Sequence, residues 1–474
     1  MNDKTFIETI RRNGITGDII KAIVDDRFSR KSVQRNLYER YKTTRAGVPI
    51  KTRTYKIAGK EQTDKINNRL NNDFFGDIID VKTGFFVGYP ITYSIDRIDG
   101  ESEARHKEKN QIIQDWCKAE IVEDLDAELV KSTSVCGESA RILNIGTDGE
   151  PHVVNLFPWE VVVLYSGNEP VYGLYIYEAG EMELQNGRME EKFINVVEFY
   201  DSQNRYIFEK RDEQGYKEVG KTPHLFSGCP VFSAKNNKEC LADGEKVLEL
   251  IDAYDRLLSD WDNEIEQFRL AYLKVVGADI TEEAIEAAKR TGAFNLPDKD
   301  ADIAYITKSL SVEAVEKLLD RIEENIYQFA QSVNSRDEHF AGTITGVALH
   351  HKLTPLEQKC LVMERKLVST LRYQFKLLCE NWRARRKADI NYLDVNFTFT
   401  RKYPQNLQAE AEIAQKLKGI VSDRTILENL SIVPDVEEEL RRIEEEAGAR
   451  LEAFESARVE EEEEEKVDKE KEVA

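Results

Sequence analysis

The stretch that decides the fold is DGEKVLELIDAYDRLLSDWDNEIEQFRL, residues 243–270. Its apolar residues recur every three or four positions, which is the period of one helix face, and the stripe continues to Tyr272. They are Val247, Leu250, Ile251, Tyr254, Leu257, Leu258, Trp261, Ile265 and Phe268. At about 1.5 Å of rise per residue, a helix over this stretch is about 40 Å long. The spacing therefore predicts one long amphipathic helix.

The polar face of this helix is acidic. Residues 243–268 hold nine acids against Lys246 and Arg256, a net charge of −7. A second amphipathic helix, predicted over 311–334, holds five acids against Lys317 and Arg321, a net charge of −3. If copies of the chain formed a ring with these faces inward, the bore would repel phosphate. The carboxylates expected to line such a bore are Glu249, Asp252, Asp255, Asp262, Glu266, Glu316, Asp320 and Glu323.

Before residue 243, helices give way to strands. Two polar helices, broken at 14–17, lead to a basic connection over 42–60. The next predicted elements are a helix over 62–86 that ends at Gly88, a strand over 89–95, helices between 106 and 135, and short β strands over 136–222. This order predicts an α+β domain over 1–242 with a compact antiparallel β unit in its second half.

After residue 270, the pattern changes several times. The predicted segments are a small mixed segment over 271–310, the second acidic helix over 311–334, a polar loop over 335–351, a long helix and a strand over 352–403, a helical segment over 404–450, and an acidic tail over 451–474. Pro355 is expected near the start of the long helix, where its missing N–H does no harm. The charge of the tail predicts that it is disordered.

The overall composition argues against several classes of protein. The 474 residues carry a net charge of −22, and half of it comes from 435–474, where eighteen acids face seven bases. Affinity for nucleic acid comes from Lys and Arg, so tight DNA binding is not expected. No apolar run approaches the roughly 20 residues of a membrane helix, and the N-terminus lacks the pattern of a secretion signal. The six cysteines form no CxxC pair and are predicted to be reduced, mostly core thiols.

Catalytic and metal-binding motifs are missing from the sequence. It contains no GxxxxGK(S/T) phosphate loop, no GxGxxG that opens a helix, no HExxH and no GxSxG. The adjacent His350 and His351 point in different directions on a helix, so they are not expected to share a metal. Acid pairs such as Asp252 and Asp255 belong to charged helix faces, whereas a general acid needs an apolar pocket. We therefore expect a protein that is not an enzyme and uses no metal or cofactor.

Several stretches together resemble portal proteins of long-tailed (siphovirus-type) double-stranded DNA bacteriophages. Residues 67–93, NNRLNNDFFGDIIDVKTGFFVGYPITY, look like the wing signature of that family, in which a helix ending in a Gly-x-Pro turn feeds a strand. Further similar stretches, in the family's order, are FPWEVVV at 157–163 with EPVYGLY at 169–175, LIDAYDRLLSD at 250–260, residues 311–334, TGVAL at 345–349 with PLEQK at 355–359, YPQN at 403–406 and GIVSD at 419–423. The likeness covers about 20–450.

The resemblance implies a portal fold of the α+β class. Its parts would be an α/β wing, a two-helix stem formed by 243–270 and 311–334, a small mixed clip at 271–310, a long helix after a tunnel loop, and a helical crown. The family likeness further implies a homo-oligomeric ring, generally a dodecamer, at one capsid vertex, through which double-stranded DNA passes without tight binding.

The same resemblance implies particular partners and a location. The partners are the terminase large subunit, the head–tail connector, and the major capsid and scaffolding proteins, and no membrane is involved. The protein would be made in the host bacterial cytoplasm and end in the virion. Portal proteins leave ATP hydrolysis to the terminase, which agrees with the missing phosphate loop.

The loop over 335–351 is expected to project into the channel and to make the close polar contacts with DNA. The DNA-facing candidates are Arg336, His339, Gly342, Thr343, Thr345, Gly346, His350, His351 and Lys352. The two glycines tolerate positive φ and would let the loop change shape as DNA passes.

Two other classes of protein stay open. The long helices could form a coiled-coil scaffold or adaptor with no DNA channel, although Tyr254, Trp261 and Phe268 interrupt a simple leucine seam. A magnesium-dependent nuclease is the other alternative, and it would need two or three carboxylates that converge in a pocket.

Overall fold

The computed structural model describes most of the chain. The described residues are 2–428 apart from 55, 58–59, 62–65, 98–99, 186–187, 212–214, 269–272, 277–281, 292–301, 306–311, 335–345 and 402–406, and then 430, 432–433, 436, 439–443 and 448. They divide into two compact units. The first comprises 1–337 with 352–399, and the second comprises 338–351 with 400–474.

Helices and strands both occur throughout the first unit, as the α+β prediction requires. The helices of the chain are α1 Asp3–Asn13, α2 Gly17–Tyr41, α3 Phe74–Val87, α4 Glu103–Ala119, α5 Val122–Cys136, α6 Leu248–Phe268, α7 Glu282–Thr291, α8 Val312–Ala330, α9 Gly346–Ala384, α10 Leu407–Leu417 and α11 Asp423–Glu428. Short 3-10 turns lie at Pro49–Thr52, Pro158–Glu160, Glu245–Val247 and Tyr392–Asp394.

The strands form small antiparallel sheets. They are β1 Lys56–Ile57, β2 Lys60–Glu61, β3 Thr92–Ile95, β4 Glu138–Ile145, β5 Pro151–Leu156, β6 Val161–Ser166, β7 Glu169–Gln185, β8 Arg188–Tyr200, β9 Asn204–Lys210, β10 Lys217–Pro223, β11 Val231–Lys235, β12 Leu273–Val276, β13 Asp302–Tyr305 and β14 Val395–Thr398. The largest sheet has the order β10-β9-β8-β7-β6, and another has the order β11-β4-β5. The predicted antiparallel β unit is confirmed.

The N-terminal helices cover one face of the five-stranded sheet. Phe6, Ile7 and Ile10 of α1 and Ile20 and Ile23 of α2 form a buried core with apolar side chains of that sheet. The sheet contributes Val162, Leu164, Leu174, Val197, Phe199 and Phe208. At about 25 cal/mol per Å² of buried apolar surface, such a core is a main source of stability for this part of the chain.

A second core holds the acidic helices against α3. Val247 just before α6, Ile251 of α6, and Ile322 and Ile326 of α8 are buried in one cluster with Phe75, Ile78 and Ile79 of α3. Rings also meet here: Phe74 lies edge-on to Tyr254, with centroids 4.9 Å apart, and to Tyr327 at 5.9 Å. The first half of the apolar stripe, from Val247 to Leu257, therefore packs within its own chain, whereas Ile265 further along is 47 % exposed.

Several predicted boundaries differ from the structure. The helix predicted over 62–86 begins only at Phe74, because Asp73 caps it by accepting from the N–H of Gly76, and residues 66–73 precede it without helix or strand. The first acidic helix begins at Leu248, after a 3-10 turn. The strand near 394–400 is confirmed as β14, which pairs with β3 at least 300 residues away, Val395 opposite Ile95.

The long third helix also differs from its prediction. It begins at Gly346 rather than near Pro355, so Pro355 lies inside the helix. Proline has no N–H to donate, so the carbonyl of His351 lacks its usual intrahelical partner. Residues 346–351 are helical, and the predicted loop boundary at 351 is therefore wrong.

Candidate channel surface and its supports

A segment of the N-terminal region lies along α6 and covers one side of it. This segment, residues 66–73, is called the strap below. The backbone N–H groups of Asn68, Leu70 and Asn72 donate to side chains of α6: to Asn263 Oδ1 at 2.7 Å, to Ser259 Oγ at 3.0 Å and to Asp255 Oδ1 at 2.9 Å. Every second residue of the strap meets every fourth residue of the helix.

The equal spacing of donors on the strap and acceptors on α6 follows from the geometry of extended and helical chains. Two residues of extended chain advance about 6.6 Å, and four residues of α-helix advance about 6.0 Å. The side chains at 255, 259 and 263 lie on one face of α6, and all three are buried. They satisfy N–H groups of the strap that otherwise have no sheet or helix to join. The side chains at 255, 259 and 263, on one face of α6, therefore bind the strap.

Asp255 was expected to line the channel, and that prediction is wrong. Its side chain is 1 % exposed, and Oδ1 also accepts from Asn72 Nδ2 at 2.9 Å. Burial raises the pKa of Asp255, and the two hydrogen bonds from Asn72 oppose that rise. A carboxylate buried under the strap cannot face a bore.

Other acids of α6 are also engaged by the same chain. Asp252 Oδ1 accepts from Arg40 Nη2 at 2.6 Å, and Glu266 Oε2 accepts from Asn68 Nδ2 at 2.8 Å. Further ion pairs engage Asp260 of α6 and two acids just before that helix: Arg53 with Asp260 at 2.6 Å, Arg30 with Glu245 at 2.9 Å and Lys82 with Asp243 at 2.8 Å. Cations of the first ninety residues thus neutralise much of the net charge that the sequence assigned to this helix.

The carboxylates that stay on the surface are fewer than predicted. Glu249 and Glu266 of α6 and Glu316 and Asp320 of α8 are exposed, and Asp262 is half-buried. Glu323 is half-buried and accepts from Asn334 Nδ2 at 2.8 Å. On α8, the exposed cations pair locally, Lys317 with Glu313 at 2.6 Å and Arg321 with Glu324 at 3.0 Å.

A buried charged group, called the junction cluster below, holds the ends of both acidic helices. It consists of Lys82 of α3, Asn236, Asp243 and Lys359 of α9. Lys82 Nζ donates to Asn236 Oδ1 at 2.7 Å and to Asp243 Oδ2 at 2.8 Å. Lys359 Nζ lies 3.1 Å from Asp243 Oδ1 and donates to the carbonyl of Ala330, the last residue of α8, at 2.7 Å.

Electrostatics inside the junction cluster favour its charged form. Burial alone would raise the pKa of Asp243, but the ammonium groups of Lys82 and Lys359 lower it to about 2. Burial lowers the pKa of Lys359, and Asp243 opposes that shift. The cluster therefore connects the segment that leads into α6, the end of α8, and the supporting helices α3 and α9.

The structure places the loop candidates in two groups. Arg336, His339, Gly342, Thr343 and Thr345 lie outside the described residues. The others, Gly346, His350, His351 and Lys352, belong to the first turns of α9, where His351 is exposed.

The described residues offer no metal site and no membrane span. Within that part of the chain, no three His, Cys, Asp or Glu side chains come together in a way that could hold a metal ion. None of its helices combines the length and apolar character that a membrane crossing requires. All six cysteines are free thiols, and Cys136, Cys229, Cys360 and Cys379 are buried.

The strap and the junction cluster were both missed by the sequence reasoning. The strap's asparagines lie within the stretch that resembles the wing, so its position was marked, but its hydrogen bonds were not foreseen. The face of α6 that binds the strap does leave a weak signal in the sequence, because Asp255, Ser259 and Asn263 are small polar residues at four-residue spacing beside an apolar stripe.

Comparison with known proteins identifies the class. The family model described as "Phage portal protein, SPP1 Gp6-like" matches residues 20–452, about nine-tenths of the chain. The portal protein of Bacillus phage SPP1 is 29 % identical over 434 residues, which cover 86 % of this chain and 82 % of that protein. The portal protein of Clostridium phage phiCD119 is 24 % identical over 404 residues, which cover 78 % and 83 %.

The class of protein is therefore a viral portal protein. The chain belongs to the SPP1 Gp6-like family of phage portal proteins. The resemblance found in the sequence is confirmed, and members of this family are structural components of the virion rather than enzymes.

Proposed function

We propose that copies of this chain form a ring at one vertex of the phage capsid, through which double-stranded DNA enters during packaging and leaves at ejection. The observation that carries the proposal is the family match over 20–452. Packaging and ejection are the general role of portal proteins, and the family works as an oligomeric ring with capsid and packaging proteins.

The finer architecture is assigned on the family resemblance and on helix packing. Residues 1–242, with α9 and β14, form the wing, and α6 and α8 form the stem. The pair β12–β13 with α7 forms the clip, 335–345 with the first turns of α9 forms the tunnel loop, and residues from 404 form the crown. The packing of α6 against α8 on the α3 core supports the two-helix stem.

The channel wall is proposed to be less acidic than the sequence suggested. Its carboxylates are the exposed Glu249, Glu316 and Asp320, with Asp262 and Glu323 at the margin. The half-buried Asp252 pairs with Arg40, and the exposed Glu266 accepts from Asn68, so both are engaged by residues assigned to the wing. Repeated around a ring, even three acids per copy would disfavour adhesion of DNA phosphates.

The tunnel loop is proposed to make the close contacts with DNA, through Arg336, His339, Thr343 and Thr345, with Lys352, His350 and His351 at the start of α9. In this proposal the ring has twelve copies. It docks the terminase large subunit and later the head–tail connector at the clip, and meets capsid and scaffolding proteins around the wing. The subunit is made in the host cytoplasm.

Electron microscopy of the purified protein tests the ring directly. We expect turbine-like particles with a central hole, and compact monomers or short rods would contradict the proposal. Rods would favour the coiled-coil scaffold or adaptor. That alternative is less well supported, because α6 and α8 bury part of their apolar stripes, including Ile251, Ile322 and Ile326, against α3 within one chain.

A further inference from the structure

A small cavity lies in the first unit where two of the sheets meet α9. Its walls are the ends of β6 and β7 with the turn between them, β11, and the middle of α9. The volume of the cavity is about 120 Å³. A water molecule takes up roughly 30 Å³ in the liquid, so the cavity has room for a group of a few heavy atoms but not for a whole nucleotide.

The groups that border this cavity favour an anion. The lining contains two lysines, Lys235 of β11 and Lys366 of α9, and among the described residues that form it there is no Asp or Glu. It also contains Asn168 of the β6–β7 turn and Ser369 of α9, which are both exposed. Within the part of the chain that the structure describes, none of these four side chains has a hydrogen bond or an ion pair. All four can donate hydrogen bonds, and two of them carry a positive charge.

Lys235 borders the cavity although an acid stands opposite it on the neighbouring strand. The register of β11 with β4 pairs Lys235 with Glu138, so both side chains lie on one face of the sheet. That carboxylate is already engaged, because it is ion-paired with Lys31 at 3.0 Å and accepts from Gln34 at 3.0 Å. The ammonium of Lys235 lies instead over the ring of Tyr165, 4.5 Å from the ring centre. Tyr165 also lines the cavity, so this half-buried cation is held at the cavity wall.

Lys366 has no acid at neighbouring positions of its own helix. Residues three and four positions apart are neighbours on a helix surface. For Lys366 these neighbours are Val362, Met363, Ser369 and Thr370. The acid at the start of β7, Glu169, is engaged further along α9, where it is ion-paired with Lys376 at 2.8 Å. The exposed Lys366 is therefore a second cation beside the cavity that no carboxylate of the described chain neutralises.

Hydrogen bonds hold the walls of the cavity together. The hydroxyl of Tyr165 accepts from the N–H of Ser233 at 3.0 Å, and Thr370 Oγ1 donates to the carbonyl of Ser233 at 3.1 Å. The hydroxyl of Tyr373 donates to the carbonyl of Cys229, just before β11, at 2.9 Å. Because these bonds join β6, β11 and α9, the cavity is formed without a ligand. A neighbouring cavity also borders Lys235, but it is less favourable for an anion because its lining includes the acids Asp3, Glu138 and Glu239.

We propose that this cavity binds one phosphate group, held by the ammonium groups of Lys235 and Lys366, with Ser369 and Asn168 as neutral donors. A phosphate supplies the negative charge that the lining lacks, and its oxygens accept charge-assisted hydrogen bonds from lysine. Free inorganic phosphate and a phosphate of a nucleic acid strand share this chemistry. The site lies within one copy of the chain, so the inference does not depend on the proposed ring.

Isothermal titration calorimetry of the full-length protein with inorganic phosphate, at constant ionic strength, tests the site. We expect saturable binding of one phosphate per chain. Lys235→Met and Lys366→Met should each weaken it about tenfold, which corresponds to the loss of one charge-assisted hydrogen bond. The matched control is Lys238→Met, an exposed lysine outside the cavity lining, which should bind phosphate as the wild type does. An absence of saturable binding, or equal weakening by Lys238→Met, would overturn the proposal.

A second variant places a carboxylate beside the two lysines. Ser369→Glu changes an exposed position of α9, so the fold should tolerate it, and the new carboxylate should compete with phosphate for both ammonium groups. We expect phosphate binding to be lost in Ser369→Glu and retained in Ser369→Gln, which has the same shape without the charge. Equal phosphate binding by these two variants would refute the site.

Short duplex DNA identifies the source of the phosphate. If the duplex competes with inorganic phosphate for the wild type but not for Lys235→Met, the site takes a phosphate of a nucleic acid strand. If phosphate binds and the duplex does not compete, the site takes the free anion. A failure of phosphate binding leaves the proposed ring untouched, because electron microscopy tests that ring separately.

Discussion

The backbone N–H of Leu70 donates to Ser259 Oγ at 3.0 Å, across 189 residues of sequence. Ser259 is fully buried, and its hydroxyl also donates to the carbonyl of Asp255 one turn earlier. The bond is the middle rung of the ladder between the strap and α6. It decides which side of α6 is closed to solvent, and so which of its acids remain on the surface.

Removing the middle rung should destabilise the protein. Ser259→Ala leaves the partly buried N–H of Leu70 without its acceptor, which costs about 1 kcal/mol. The matched control is Arg256→Ala, an exposed position on the same helix, which should change the free energy of unfolding by less than about 0.5 kcal/mol. Urea unfolding measures both, and equal effects would contradict the role of the ladder.

Asp255 should be replaceable by Asn but not by Ala. Burial raises the pKa of this carboxyl, so its charge is a cost to the folded state at neutral pH, while its hydrogen bonds to Asn72 are a gain. Asp255→Asn keeps an acceptor oxygen and should stay within about 1 kcal/mol of the wild type. Asp255→Ala should lose about 1–3 kcal/mol. A strongly destabilised Asn variant would show that the charge itself is required.

Asp243 should be among the most sensitive single positions. Asp243→Asn leaves the ammonium groups of Lys82 and Lys359 buried without a counter-ion, and breaking a buried ion pair costs about 3–5 kcal/mol. The control, Lys317→Met, breaks an exposed pair within α8 and should cost no more than about 1 kcal/mol. Chemical denaturation measures the unfolding free energy of both variants. Similar losses of stability would contradict the role of the junction cluster.

The same aspartate predicts an acid-dependent loss of stability. Its folded-state pKa of about 2 lies below the unfolded value of about 4. Its contribution is therefore complete above pH 4 and is lost as the pH falls toward 2. The difference in unfolding free energy between the wild type and Asp243→Asn should shrink from pH 5 to pH 3. A constant difference would be evidence against the shift.

A charge reversal on the proposed channel wall should make DNA adhere. Asp320→Lys places a cation on the exposed face of α8 in every copy, so assembled rings should bind short duplex DNA more tightly. The gain should fall steeply as salt rises. Glu218→Lys makes the same charge change at an exposed position on β10 and should have a smaller effect. Equal binding by the two variants would argue that Asp320 lies outside the channel.

Stiffening the tunnel loop should impair DNA handling and spare assembly. Replacement of Gly342 and Gly346 by Ala or Pro restricts the backbone of the segment that is proposed to move as DNA passes. We expect rings of normal appearance with reduced packaging or retention of DNA, measured by nuclease protection. Variants that fail to form rings would show that the loop has a structural role.

The sequence predicted the order of helices and strands well where an apolar pattern continues over many residues. The second helix, the β unit before residue 222 and the two acidic helices all appear, because an apolar stripe of helical or strand period must be buried somewhere. The predicted boundaries were wrong where a capping residue or a contact with a distant part of the chain sets the end of an element. Asp73 begins α3 about twelve residues later than predicted, and the strap before it is held by side chains of α6.

By itself, the sequence determined that this chain folds as an α+β protein with two acidic amphipathic helices, and its motifs identified the portal family. Only the tertiary structure decided what those acids do. Arg40 and Asn72 lie about 200 and 180 residues from their partners Asp252 and Asp255. Helical periodicity shows which residues share a face, but it cannot show which distant groups will cover that face. Composition alone therefore made α6 look like a charged wall, although much of that charge is neutralised within the subunit.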